Sequence, residues 1–238
     1  MNPQTLKEAR SLATSIKRST RSFKKSHIIL CPPFVYLPSL LPAKNQVFLG
    51  AQDAFYEPHG SFTGEVSSAQ LSALGVDFCL VGHSERRALG ETDVIINKKV
   101  RAIVDGGMTA ILCVGEKVHD PHGEYLSLVK QQIVSGLKDI SKHSVHLIVI
   151  AYEPIWAVGG KVAMRPAGIA EMAIFIKKVL RDMYGTSSDE ARVLYGGDVT
   201  AGNAMEIVRD GFVHGLLVGR ESLKPKSFIE IIRQVDKI

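Results

Sequence analysis

The sequence predicts an α/β fold in which helices cover a parallel sheet. Three observations carry that expectation: short apolar runs rich in β-branched residues recur along the chain, stretches with helical spacing separate them, and titratable or glycine residues close several of the runs. Strands buried on both faces read as continuous apolar runs rather than alternating ones, and that is the pattern here.

The chain opens on a helix. Thr5 and Glu8 form a candidate capping box, and Leu6, Ala9, Ala13 and Ile16 line one face. Strand-like runs follow at residues 27–31, 47–51, 78–81, 109–114, 146–151, 192–194 and 213–218. Between them, Ile95, Val100, Ile103 and Val104 form one helical stripe, and Ile169, Met172, Ile176 and Leu180 form another. This reading gives seven strands and eight helical segments, with no linker or break in composition, so residues 1–238 read as one domain. A closed (β/α)8 barrel needs one further strand ahead of Met1.

Composition narrows the function classes. A content of 45% hydrophobic and 22% charged residues is that of a globular protein with a sizeable core. No apolar run approaches the roughly 18 residues of a membrane helix, and the polar start Met1-Asn2-Pro3-Gln4-Thr5 is unlike a signal peptide. The cytoplasm is therefore expected, with no membrane partner. Lys and Arg number 29 against 24 Asp and Glu, a mild excess that suits an anionic small substrate. The cluster Lys17, Arg18, Arg21, Lys24 and Lys25 complements a helix C-terminus, and no nucleic-acid partner is expected. Cys31, Cys79 and Cys113 lie in or at the ends of strand runs without metal-ligand spacing and read as reduced core thiols. His119, His122, His143 and His146 flank the fifth helix without sharing a face, so they read as surface residues and no metal is expected. Glu–Lys pairs on the helices read as solvated faces.

The run Phe78-Cys79-Leu80-Val81-Gly82 ends in His83, followed by Ser84-Glu85-Arg86-Arg87 with the character of a helix start. The run Val149-Ile150-Ala151-Tyr152 ends in Glu153. An imidazole and a carboxylate delivered at strand ends form a candidate acid/base pair. Each residue taken singly also has a plain structural explanation, a rim histidine beside a helix cap and a strand-terminal charge. Tyr195-Gly196-Gly197-Asp198 and Leu217-Val218-Gly219-Arg220 close the last two strands, where barrels build phosphate sites from backbone N–H groups. Tight turns would use the same glycines.

At these residues the chain resembles the triosephosphate isomerase family. The likeness is carried by Val81-Gly82-His83-Ser84-Glu85-Arg86-Arg87, Ala151-Tyr152-Glu153-Pro154-Ile155-Trp156-Ala157, Tyr195-Gly196-Gly197 and Gly215-Leu216-Leu217-Val218-Gly219. Gly50-Ala51-Gln52-Asp53, Ser61-Phe62-Thr63-Gly64-Glu65 and Cys113-Val114-Gly115-Glu116 extend it. The resemblance implies a TIM (β/α)8 barrel that interconverts dihydroxyacetone phosphate and glyceraldehyde 3-phosphate without a cofactor. Glu153 is implied as the base and Glu85 as a supporting carboxylate. His83 is implied as a neutral electrophile whose pKa a helix N-terminus lowers, an arrangement for which this family is itself the standard example. Gly159, in a mobile lid over residues 154–163, is implied to donate its N–H to the substrate phosphate, beside Gly197 and Gly219, while Asp198 and Arg220 are the candidate substrate-binding side chains that this sequence itself places in the same two loops. The segment 56–65, with Thr63 near its tip, is implied to reach a second subunit of a homodimer.

The chain departs from the family pattern in places. The family's opening strand, ending Asn-x-Lys-Met-Asn, is matched only by Met1-Asn2, and the expectation is a working isomerase whose first strand lies upstream of Met1. The rival expectation is a silent phosphate-binding or assembly protein on the same barrel. Asp198 stands where the family has serine and Arg220 where it has a second glycine, and Asp198 is expected either to turn away or to pair with Arg220, leaving backbone N–H groups to bind phosphate.

Overall fold

The computed structural model describes residues 2–40, 47–157 and 164–238. Seven parallel strands, β1 (Ile28–Leu30), β2 (Val47–Ala51), β3 (Phe78–Val81), β4 (Thr109–Val114), β5 (Ile148–Tyr152), β6 (Arg192–Tyr195) and β7 (Gly215–Leu216), pair in chain order. The α-helices are α1 (Leu6–Ser19), α2 (Ser68–Ala73), α3 (Ser84–Ala88), α4 (Asp93–Asp105), α5 (Glu124–Gly136), α6 (Pro166–Tyr184), α7 (Ala204–Asp210) and α8 (Pro225–Val235). This is the TIM-barrel architecture with seven strands, and among the described residues no pairing joins β7 back to β1.

Alternation along the strands divides the core in two. Leu80, Ile111, Cys113, Val149 and Ala151 pack on one face of the sheet, while Ala110, Leu112, Val114, Ile148, Ile150 and Tyr152 pack with the covering helices on the other. Each fully buried aliphatic side chain stabilises the fold by about 1.5–3 kcal/mol. At the open side, Ile16 of α1 and Phe228, Ile229 and Ile232 of α8 pack with Ile28 and Val47. Asp236 accepts the N–H groups of Lys24, Lys25 and Ser26, tying the C-terminal segment to the turn before β1.

Several details differ from the expectation. His27 and Cys31 fall outside β1, residues 146 and 147 belong to a 3-10 turn, Tyr152 joins β5, and β7 has only two residues. Thr5 accepts the Glu8 N–H, but the Glu8 carboxylate takes the Gln4 N–H, so the capping box is half formed. On α4 the buried stripe is Ile96, Val100, Ile103 and Val104, and Ile95 is only half-buried, because Ile96 is the residue four positions before Val100. Lys99 on the same helix, for which the sequence carries no expectation, is buried and bonds Asp53 at 2.7 Å and Glu91 at 2.5 Å. Cys31, Cys79 and Cys113 are free thiols, and burial pushes Cys31 up to about 12. No helix among the described residues is long and apolar enough to cross a membrane.

Candidate active site

His83 follows β3 and caps α3: its Nδ1 accepts the Glu85 N–H at 3.3 Å. Glu153 follows β5 and is buried, its own N–H bonded to the Val114 carbonyl. The two meet across the C-terminal rim, with His83 Nε2 standing 3.1 Å from Glu153 Oε1. Glu153 Oε2 accepts the Ser84 N–H at 3.3 Å. Two residues 70 positions apart are thus joined because parallel strands deliver their ends to one side of the sheet.

The contacts of His83 determine its proton. An imidazolium would aim an Nδ1 proton at the Glu85 N–H, whereas the neutral ring with its proton on Nε2 satisfies both neighbours. Burial, the largest single influence, lowers the pKa, but the hydrogen bond and charge of Glu153, with Glu85 behind, outweigh it and leave the group raised. This is opposite to the lowered value the resemblance implies, and the cause is the carboxylate in direct contact.

Glu85 itself is exposed, its carboxylate 3.9 Å from Nδ1, so its contact with His83 runs through the backbone N–H. The next two residues anchor the loop. Arg86 reaches Asp53 at 3.0 Å and Glu91 at 2.6 Å, and Arg87 bonds the Gly82 carbonyl at 2.8 Å and Asp93 at 2.7 Å. Burial pushes the Asp53 carboxyl up despite Lys99, while in Glu91 the same effect is outweighed by Lys99 and Arg86 and the carboxyl is lowered.

Gly196 and Gly197 follow β6. A methyl group on Gly196 would stand 2.8 Å from Cγ of Glu153, so only glycine leaves that side chain its room. Gly219 and Arg220 follow β7 beside them and are exposed. Arg220 lies 3.7 Å from Asp198, which puts the expected pair within reach across the two loops. Thr63 is exposed in a loop steadied by Phe62 against Phe55, ring centres 4.7 Å apart. Gly159 and residues 158–163 of the lid segment lie outside the described residues.

Glu116 was not assigned a role from sequence, although a charge closing the apolar run 109–114 is the signal that marks Glu153. It is buried and accepts from Tyr152 at 2.9 Å and from Trp156 at 2.8 Å. His119 is exposed, as expected, while its ring packs on Tyr125 with ring centres 3.8 Å apart and lies 3.2 Å from Glu116. No group of three or more metal-ligating side chains gathers among the described residues.

The sequence matches the triosephosphate isomerase family model over residues 1–235. It is 36% identical over 235 residues to the triosephosphate isomerase of Endomicrobium trichonymphae, covering 97% of this chain and 94% of that one. To that of Aquifex aeolicus it is 36% identical over 233 residues, covering 96% and 94%. To that of Thermodesulfovibrio yellowstonii it is 37% identical over 234 residues, covering 97% and 94%. Nothing in these matches favours a silent scaffold. With a histidine and a glutamate in contact at the rim of the same barrel, the chain belongs to the triosephosphate isomerase family.

Proposed function

We propose that this chain interconverts dihydroxyacetone phosphate and glyceraldehyde 3-phosphate, with Glu153 as the base and His83 as the electrophile. The single observation that carries the assignment of roles is the 3.1 Å contact between His83 Nε2 and Glu153 Oε1. Glu153 leaves that contact, takes a proton from the carbon beside the substrate carbonyl and returns it to the neighbouring carbon. His83 meanwhile hydrogen-bonds through its Nε2–H to the carbonyl oxygen on which negative charge develops, forming the enediolate, and the proton of the neighbouring hydroxyl passes to that oxygen by way of the ring as the second carbonyl forms. Glu85 holds the ring through its backbone N–H, and Gly197 and Gly219 with Gly159 make up the phosphate end, bordered by Asp198 and Arg220.

The same reading includes a homodimer through the exposed Thr63 loop, one domain over residues 1–238, and a cytoplasmic setting, to which the three free thiols are suited. A coupled isomerase assay tests it. Glu153→Ala and His83→Ala are expected to lose nearly all turnover with the circular dichroism of the parent chain; full turnover in either variant overturns the assignment of roles.

A further inference from the structure

The loops after β6 and β7 leave the sheet side by side, with Tyr195 opposite Leu216 and the Leu217 N–H bonded to the Tyr195 carbonyl. Asp198 and Arg220 form the one ion pair that joins these loops among the described residues. At 3.7 Å the pair is loose, and the Arg220 side chain is 64% exposed. Exposed pairs of this kind stabilise little. Glu221 follows Arg220, but its carboxylate is already bonded by Lys224 and Ser227. An incoming phosphate dianion therefore meets the Asp198 carboxylate unless a cation intervenes. Arg220 is placed to do so, with a planar fork of donors that matches phosphate oxygens better than a single carboxylate oxygen at this distance. Next to it Gly219 has open space on its Cβ side, so the segment leaves a ligand room.

We infer that Arg220 is a substrate-binding residue that exchanges Asp198 for the substrate phosphate, so that Asp198 is its resting partner and a competitor for the ligand. The inference rests on the phosphorylated-triose reading of the site and names the cation that reading needs. It predicts that the two loops discriminate between anions by charge: a dianion displaces Asp198 more readily than a monoanion does.

The test separates contact from mere neutralisation. Inorganic phosphate binding, by calorimetry and by inhibition of turnover, is measured for the parent chain, Asp198→Asn, Arg220→Gly and the double variant. Asp198→Asn is expected to tighten phosphate several-fold. In the Asp198→Asn background, where no carboxylate remains to be neutralised, Arg220→Gly is expected to weaken phosphate and raise KM by about tenfold or more, the loss of one charge-assisted hydrogen bond. Arg220→Lys is expected to recover part of that loss. Phosphate binding within about twofold of the Asp198→Asn parent after Arg220→Gly overturns the inference, because Arg220 would then only offset the charge of Asp198. Turnover absent from the unsubstituted chain would defeat the isomerase reading alone, since calorimetry with phosphate still decides the role of Arg220.

Discussion

A methyl group on Gly115 would stand 1.9 Å from the carbonyl oxygen of Glu153. The backbone after β4 and the backbone after β5 thus touch at the point where the base emerges, and Glu153 is positioned by that contact as much as by its own strand. Because the clash is with backbone, a rotamer change cannot relieve it.

Gly115→Ala is therefore expected to shift the Glu153 backbone and destabilise the fold by at least about 1–3 kcal/mol, the usual cost of overpacking. Turnover should fall with it, since a displacement of about 1 Å in a reacting group costs on the order of a hundredfold. Gly202→Ala is the control: its added carbon would meet nothing nearer than Thr200 at 3.8 Å. Thermal denaturation and kcat of the two variants check the contrast, and equal effects would contradict it.

The His83–Glu153 contact makes stability depend on pH with a definite sign. The folded-state pKa of His83 is raised, so its contribution is fully present below the unfolded value of about 6.5 and is lost as pH rises through the folded value. The Tm difference between the parent chain and His83→Asn should be larger at pH 5.5 than at pH 8.5. Glu153→Gln should flatten that dependence, because the carboxylate that outweighs burial is gone. Melts at several pH values decide it; a difference that grows toward alkaline pH would reverse the sign and refute the account of the pair.

Lys99 is buried between two carboxylates that also hold Arg86, three residues after His83. Lys99→Met leaves Asp53 and Glu91 short of a cation and is expected to cost about 3–5 kcal/mol, the loss that follows from breaking a buried pair. Urea denaturation measures this. A cost below about 1 kcal/mol would place the cluster among ordinary surface pairs.

The parts of the fold legible in the sequence are those where one physical cause acts alone. The runs forming β2, β3 and β4 are largely apolar and are followed by Gln52, Gly82 and Gly115, so their bounds are legible in the sequence. The runs read as β1 and β5 carry amphipathic neighbours, His27 and His146, and there chain length and pairing, not hydropathy, decide the ends. The stripe on α4 was displaced by one residue because Ile95 and Ile96 are equally apolar and only tertiary packing chooses between them. The role of Lys99 is not legible in the sequence, because charge alone does not reveal that Asp53, 46 positions earlier, stands opposite. In the site, His83 and Glu153 were visible as titratable groups closing strands; Glu116 carries the same mark but shows its use only once Tyr152 and Trp156 are seen bonded to it.

Whether Glu153 carries a proton between two carbons of a three-carbon phosphate is read most directly by deuterium exchange. Dihydroxyacetone phosphate incubated with the chain in deuterium oxide should gain deuterium at carbon, followed by nuclear magnetic resonance, while Glu153→Gln should show exchange no faster than solvent alone. Exchange persisting at the parent rate in Glu153→Gln would contradict the account, because some other group would then be moving the proton.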